Sequence, residues 1–320
     1  MAAWLARRLA AAVGIVFAVV TLTFFLVHAA PGRPFCDAGE RPAIDPDVCR
    51  RLERLYGLDR PLLEQYGRYL AAVARGELGY SVMQRRPVAA ALADAIPNTL
   101  LLAAAALVID FLLGIAIGVY QALHRNRRRD LVLTHVTLFL LSVPTFWLGL
   151  ALILVFAVWL PWLPAGGMRD PASGLAPPAD LLWHLVLPAT TMGVVAAAAT
   201  ARFQRSAMLE ALAQEFVRTA RAKGASEARV VLRHALRNAL LPAITLFGLA
   251  FPFLLTGAVL VEKIFSWPGM GSLAAGALAA HDYPLLTALG LVAGVMVALG
   301  TLIADVLYAL ADPRVRLAAP

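Results

Sequence analysis

Lys223 and Lys263 are the only lysines in this chain, and neither follows a glycine. A phosphate-cradling G-x-x-x-x-G-K-[ST] loop needs its lysine between a glycine and a serine or threonine, so the sequence carries no such loop. The six histidines, His28, His124, His135, His184, His234 and His281, stand apart, with no pair at the three- or four-residue spacing of a helical metal site. That pattern gives no support for metal catalysis. Ser173 and Ser266 fall in expected loops without the flanking residues of an activated nucleophile. Two acids interrupt apolar runs. Asp110 lies near the middle of one, where an ionisable group is costly and faces a bundle interior or water. It could hold a substrate amino group or line a polar pathway, or it could be a hydrogen-bonded structural residue between helices, and the sequence leaves both open. Asp305 lies nearer the end of its run and reads as structural. Cys36 and Cys49 are the only cysteines. On an oxidising side of a membrane they would close a short loop worth about 3 kcal/mol in the chain-entropy model.

The elements that must position these residues are membrane helices. The chain has 320 residues, 61% of them hydrophobic and 15% charged, with a mean hydropathy of +0.75, unlike a soluble domain. A spanning helix needs about 20 mainly apolar residues. Six runs qualify: 9–27, 99–122, 131–160, 181–200, 239–261 and 285–310. Arg7 and Arg8 precede the first. Arg125, Arg127, Arg128 and Arg129 separate the second from the third, a basic stretch separates the fourth from the fifth, and Arg314 and Arg316 follow the last. These places, and both termini with them, are expected on the cytoplasmic side. The opposite short connections hold one cation each, Arg169 and Lys263. The net charge of +8 would suggest nucleic acid in a soluble chain, but its distribution fits topology instead. The first apolar run is too long for a cleavable signal, and Arg33, Pro34 and Phe35 before Cys36 exclude a lipoprotein signal.

The long connection between the first two runs is nearly neutral and expected outside. Within it, residues 58–81 carry helix punctuation: Asp59 as a cap and Pro61 in the first turn. Leu62, Tyr66, Tyr69, Leu70 and Val73 then recur at helical spacing. That face is expected on the bilayer surface, on the spans or against an external partner. Pro144, Pro188, Pro242 and Pro252 would kink or end helices.

Residues 215–242 read EFVRTARAKGASEARVVLRHALRNALLP. Gly224 permits a turn with positive φ, and Ser226 is placed to cap a second helical piece. Arg229, Arg233 and Arg237 recur every four residues as one basic stripe, while Leu232, Leu236 and Leu240 form an apolar stripe expected to pack on the bundle. The arginines fit either a protein partner or anionic lipid. The turn favours a docking loop.

Several segments together resemble one family. RTARAKGASEARVVLRHALRNALLP at 218–242 is similar to the signature loop of inner-membrane permease subunits in the dipeptide, oligopeptide and nickel branch of ABC importers. VEKIFSWPGMGSL from Val261, HDYP from His281 and DVLYALADPRVR from Asp305 resemble its C-terminal pattern, and LVHAAPGRP, YGLDRPLLEQY, RGELGYS and SVPTFWLGL its N-terminal half. The resemblance implies an all-α integral membrane protein of six transmembrane helices, with the type I importer permease fold and an extracytoplasmic insert between helices 1 and 2. Residues 1–97 would form the first helix and outer loop, 98–310 the core with a coupling loop at about 203–238, and 311–320 a cytoplasmic tail. The ATPase-coupling role falls on Ala220, Arg221, Ala222, Lys223, Gly224, Ala225, Ser226 and Glu227. Arg218, Thr219 and Ala220 stand where the wider importer signature has Glu-Ala-Ala, so its acidic anchor is absent. The implied partners are a second permease subunit, two cytoplasmic ATPase subunits or domains carrying ATP and Mg, an extracytoplasmic binding protein and membrane lipid, with no nucleic acid. No cofactor is expected in this chain, nor an ATPase site. The expected function is half of a translocation pathway in a bacterial inner membrane for di- or oligopeptides. Nickel chelates or another small solute are the alternative. A proton-coupled secondary transporter titrating Asp110 and Asp305, or an inert assembly subunit, would leave the docking loop unexplained.

Overall fold

The computed structural model describes residues 2–30 and 46–311. Among these, α1 (Ala2–Ala29), α4 (Val88–Leu123), α7 (Pro177–Leu212) and α13 (Tyr283–Ala311) contain the four continuous stretches long and apolar enough to cross a membrane. The number rises to six if each of two bent helix pairs is one span. Between α1 and α4 lie α2 (Pro46–Tyr56), α3 (Leu62–Ala74) and a two-stranded antiparallel hairpin, β1 (Tyr80–Ser81) with β2 (Arg86–Pro87).

The third apolar run departs from the single span expected at 131–160. It forms α5 (Arg128–Ser142), then α6 (Thr145–Ile153) continued by a π-helical turn, Leu154–Trp159, and the two arms bend by 101°. Val143 takes an extended conformation at φ −80 and ψ 125, as a residue before proline tends to, and Pro144 brings no amide for the helical ladder. At 1.5 Å per residue each arm reaches about 22 Å, short of the roughly 30 Å hydrocarbon core. Pro97 and Pro188 sit inside α4 and α7 without ending them. Pro242 lies in the first turn of α11 (Leu241–Ile264), where its missing amide costs nothing.

The central contact is α4 against α7. Small residues let the backbones close: a Cβ at Gly114 would lie 2.6 Å from the Thr200 side chain, and one at Gly118 2.6 Å from the Ala201 carbonyl oxygen. This is the small-x-x-x-small arrangement by which membrane helices associate, where van der Waals contact replaces the hydrophobic drive available in water. Leu102 and Ala106 of α4 and Leu185 and Met192 of α7 form the adjoining core with Phe265 and Trp267.

At the end of the bundle away from the arginine loops, two buried carboxylates tie distant segments together. Asp282, 1% exposed, accepts hydrogen bonds from Ser81 Oγ at 2.6 Å and Met83 N at 3.0 Å, and its other oxygen accepts from Leu285 N at 3.2 Å. It therefore anchors the hairpin and caps α13. Glu262, fully buried, accepts from Thr99 Oγ1 at 2.6 Å and Ser272 N at 2.9 Å, while Thr99 Oγ1 accepts from Met270 N at 2.7 Å. That relay satisfies the first amides of α12 (Met270–Ala279).

α3 packs on the spans. Tyr66 Oη and Thr21 Oγ1 of α1 lie 2.7 Å apart, and Tyr69 Oη donates to Thr287 O of α13 at 3.3 Å. Burial there pushes the Tyr69 phenol up to about 12. The start of α3 differs from the expected cap. Pro61, not Asp59, holds the cap position and no side chain caps the amides. Instead the Gln65 side-chain amide donates back to Leu58 O and Arg60 O at 3.1 and 2.8 Å.

Candidate functional site

The basic segment forms an elbow. α8 (Glu215–Ala222) is followed by Lys223 as its cap and then Gly224, whose φ is +75. Gly224 N donates to Arg221 O at 2.9 Å and Ala225 N to Ala220 O at 3.1 Å, the paired bonds of a Schellman cap, in which glycine avoids the steric cost of a left-handed residue. The chain resumes as α9 (Glu227–Arg229), a π-helical turn at Val230–Ala235 and α10 (Leu236–Ala239). Ser226 does occupy the cap position of α9, but its hydroxyl makes no cap bond. The Arg221 guanidinium closes the elbow by donating to both Glu227 oxygens, at 2.8 and 3.3 Å, and this partner raises the Arg221 pKa.

The elbow has an inner and an outer face. Val217, Ala220, Val230, Val231, Ala235 and Ala239 are buried against Ala122 of α4 and Met208 and Ala211 of α7. Ala222, Lys223, Ser226 and Glu227 are exposed, as are Arg229, Arg233 and Arg237. The expected apolar stripe of Leu232, Leu236 and Leu240 holds only in part: Leu236 packs half-buried on this cluster, but Leu232 is 64% exposed while Val230 and Val231 are 0% and 8% exposed. Ideal α spacing does not survive the π turn, whose wider ring changes which residues face inward. Small and β-branched residues supply most of the inner face, with Leu236 at its edge.

Behind the elbow, Asp130 of α5 is 1% exposed. Arg205 of α7 grips it with two bonds, Nε to Oδ1 at 2.9 Å and Nη2 to Oδ2 at 2.7 Å. Asn126 N, from a residue at φ +61, also donates to Asp130 Oδ2 at 2.9 Å. Sequence reasoning passed over this pair: Asp130 follows directly on a run of arginines, and its partner lies 75 residues further on. Glu262 and Asp282 were missed too, although each sits inside a segment that carried the family resemblance.

The remaining expected residues are dispersed. Asp110 is 1% exposed on α4, its Oδ1 has no hydrogen-bond partner, and the amide of Gln204, buried on α7, has none either. Asp305 pairs with Arg8 of α1 at 3.0 Å. Cys36 and the side chain of Cys49 lie outside the described residues, so the expected bridge does too. Among the described residues no three His, Cys, Asp or Glu side chains gather as a metal site.

A profile of the binding-protein-dependent transport system inner membrane component matches residues 114–317. The N-terminal profile of the same transport-system membrane components matches residues 1–103. The chain belongs to this family. It is a permease subunit of ABC importers, a multi-pass membrane transport component and not an enzyme. Its relatives include the oligopeptide transport system permease protein AppB of Bacillus subtilis, 38% identical over 98% of this chain and 99% of that protein. The di/tripeptide transport system permease protein DppB of Pseudomonas aeruginosa is 41% identical, over 99% of each chain. The glutathione transport system permease protein GsiC of Escherichia coli strain K12 is 39% identical over 97% of each.

Proposed function

We propose that this permease subunit forms one half of the pathway of an ATP-driven importer of di- or oligopeptides, and that the elbow at Gly224 is where ATPase motion enters it. The observation that carries the reading is the two-faced elbow: an exposed edge at Ala222, Lys223 and Ser226 backed by an apolar face on the ends of α4 and α7. A partner seated on that edge pushes on helices, not on a flexible loop. The peptide substrate is supported by the relatives, whose names carry oligopeptides, di/tripeptides and glutathione.

In this reading both termini and the elbow are cytoplasmic, and α2, α3 and the hairpin form an extracytoplasmic insert. The two bent pairs complete six spans of a type I permease, with residues 1–97 as helix and insert, 98–310 as core and 311–320 as tail. A second permease subunit, two ATPase subunits holding ATP and Mg, and an external binding protein complete the complex. Cys36 and Cys49 form a bridge outside. Asp110 is a polar node between α4 and α7 at the depth of the pathway. ATP binding draws the elbows together and opens the pathway outward; hydrolysis returns it inward, because each state makes different elbow contacts.

The test is uptake of a labelled tripeptide into proteoliposomes holding the assembled complex. Uptake should require ATP on the elbow's side and should fall steeply with Gly224→Val, since a β-branched residue at positive φ costs about 1–2 kcal/mol. ATP-independent uptake, or full coupled uptake by the assembled Gly224→Val complex, would contradict the reading.

A further inference from the structure

We propose that Asp130 and Arg205 are positioning residues of the coupling path, an ion pair that makes the α5 arm follow the elbow. The inference rests on the functional reading above and asks how motion received at Gly224 reaches the rest of the bundle.

Three observations converge on the pair. First, the inner face of the elbow packs on the adjacent ends of α4 and α7, and those helices are in close contact through Gly114 and Gly118. Displacing the elbow therefore displaces α4 and α7 as one body. Second, α5 has little to hold it to that body. Its buried residues are Asp130 and Thr137 alone, whereas Val132, Val136 and Phe139 are 61%, 46% and 63% exposed. An α5 without an apolar seam must be held by something else. Third, the Asp130 carboxylate receives the planar guanidinium of Arg205 through two bonds and the Asn126 amide through a third. The Asp130 side chain is 2% exposed. Two parallel bonds resist rotation as well as separation, so α5 is fixed to α7 in angle as well as distance.

Gln121 of α4 adds to the joint by donating from Nε2 to Thr134 Oγ1 at 3.1 Å. Beyond α5 the chain turns through 101° into α6, whose Leu152 and Ile153 pack on the α4–α7 core, so α5 is the arm whose position rests on the pair. Loss of the pair would leave the elbow and its partner contacts intact while α5 lags behind. The consequence is hydrolysis without transport, which a purely structural role does not produce.

The assay measures ATP hydrolysis and labelled-tripeptide uptake on the same reconstituted complex. With Asp130→Asn, tripeptide carried per ATP hydrolysed should fall about 5- to 100-fold, the range of ordinary coupling energies, while hydrolysis continues. Arg205→Lys keeps the charge but loses the two-bond fork and should give an intermediate ratio. It also serves where Asp130→Asn does not assemble. The exchanged pair Asp130→Arg with Arg205→Asp should recover part of the ratio. An unchanged ratio in the assembled Arg205→Lys or Asp130→Asn complex, or a parallel loss of hydrolysis and uptake, would overturn the inference. Absence of ATP-driven uptake in the unaltered complex would instead overturn the functional reading on which it rests.

Discussion

Replacing Gly118 by alanine places one methyl group where two backbones already touch. Its Cβ would stand 2.6 Å from Ala201 O, 2.7 Å from Gln204 Cβ and 3.0 Å from Arg205 N, whereas ordinary contact begins at 3.4 Å. Two of these neighbours are main-chain atoms of α7, which no rotamer change can move aside. The helices must separate locally, a strain of about 1–3 kcal/mol for an added methylene in a packed site. Alanine returns up to about 1 kcal/mol of helix propensity, leaving a net loss of up to about 2 kcal/mol; against a glycine-to-alanine change with the same return and no strain, the deficit is the full strain. Because 1 kcal/mol moves Tm by about 2–4 °C in domains of 150–250 residues, the melting temperature should drop by up to about 8 °C. Gly14 of α1 is the matched control, since a Cβ there has nothing within 4 Å, and Gly14→Ala should be neutral or slightly stabilising. The assay is thermal unfolding of both variants in the same detergent, followed by loss of the monodisperse peak. Equal melting temperatures for Gly118→Ala and Gly14→Ala would refute the close α4–α7 contact and, with it, the single body on which force transmission depends.

Three further outcomes are expected. Thr99→Val removes the hydroxyl that serves both Met270 N and Glu262; leaving those buried groups short should cost about 1–3 kcal/mol in the same melting assay, and a neutral result would show that α12 is not held by this relay. Asp282→Ala strips the acceptor shared by Ser81 Oγ, Met83 N and Leu285 N, so amide exchange at 81–86 should accelerate while the elbow's stays unchanged; unaltered exchange in the hairpin would argue against the anchor. Unreduced protein should show no thiol that reacts with maleimide, and two reactive thiols would remove the proposed Cys36–Cys49 bridge.

The spans were legible because apolar length is a strong signal and bilayers demand it. A kink or end at Pro144 was expected from proline chemistry, and the helix does break there; Pro188, of which the same was expected, is instead carried inside α7, as Pro97 is inside α4. The elbow's turn was readable from Gly224 alone, because positive φ is a local demand. Its buried face was not, because a π turn changes the spacing that a stripe argument assumes. Asp130, Arg205, Glu262 and Asp282 escaped for one shared reason: each finds its decisive partners on another element, and a charge in sequence gives no sign of whether its partner is solvent or a helix far along the chain. The α3 face could be drawn from periodicity, but its choice of the spans over the bilayer surface rests on Tyr66 meeting Thr21 and Tyr69 meeting Thr287.

The exposed edge of the elbow is the surface that an ATPase subunit must touch. A photo-crosslinking amino acid in place of Lys223, in the complete complex isolated from membranes, should join this chain to an ATPase subunit, and the yield should change between nucleotide-free and ATP-bound states. Crosslinks confined to lipid, or a yield to the ATPase no greater than from a probe at exposed Leu63 on α3, would contradict the claim that ATPase motion enters through Gly224.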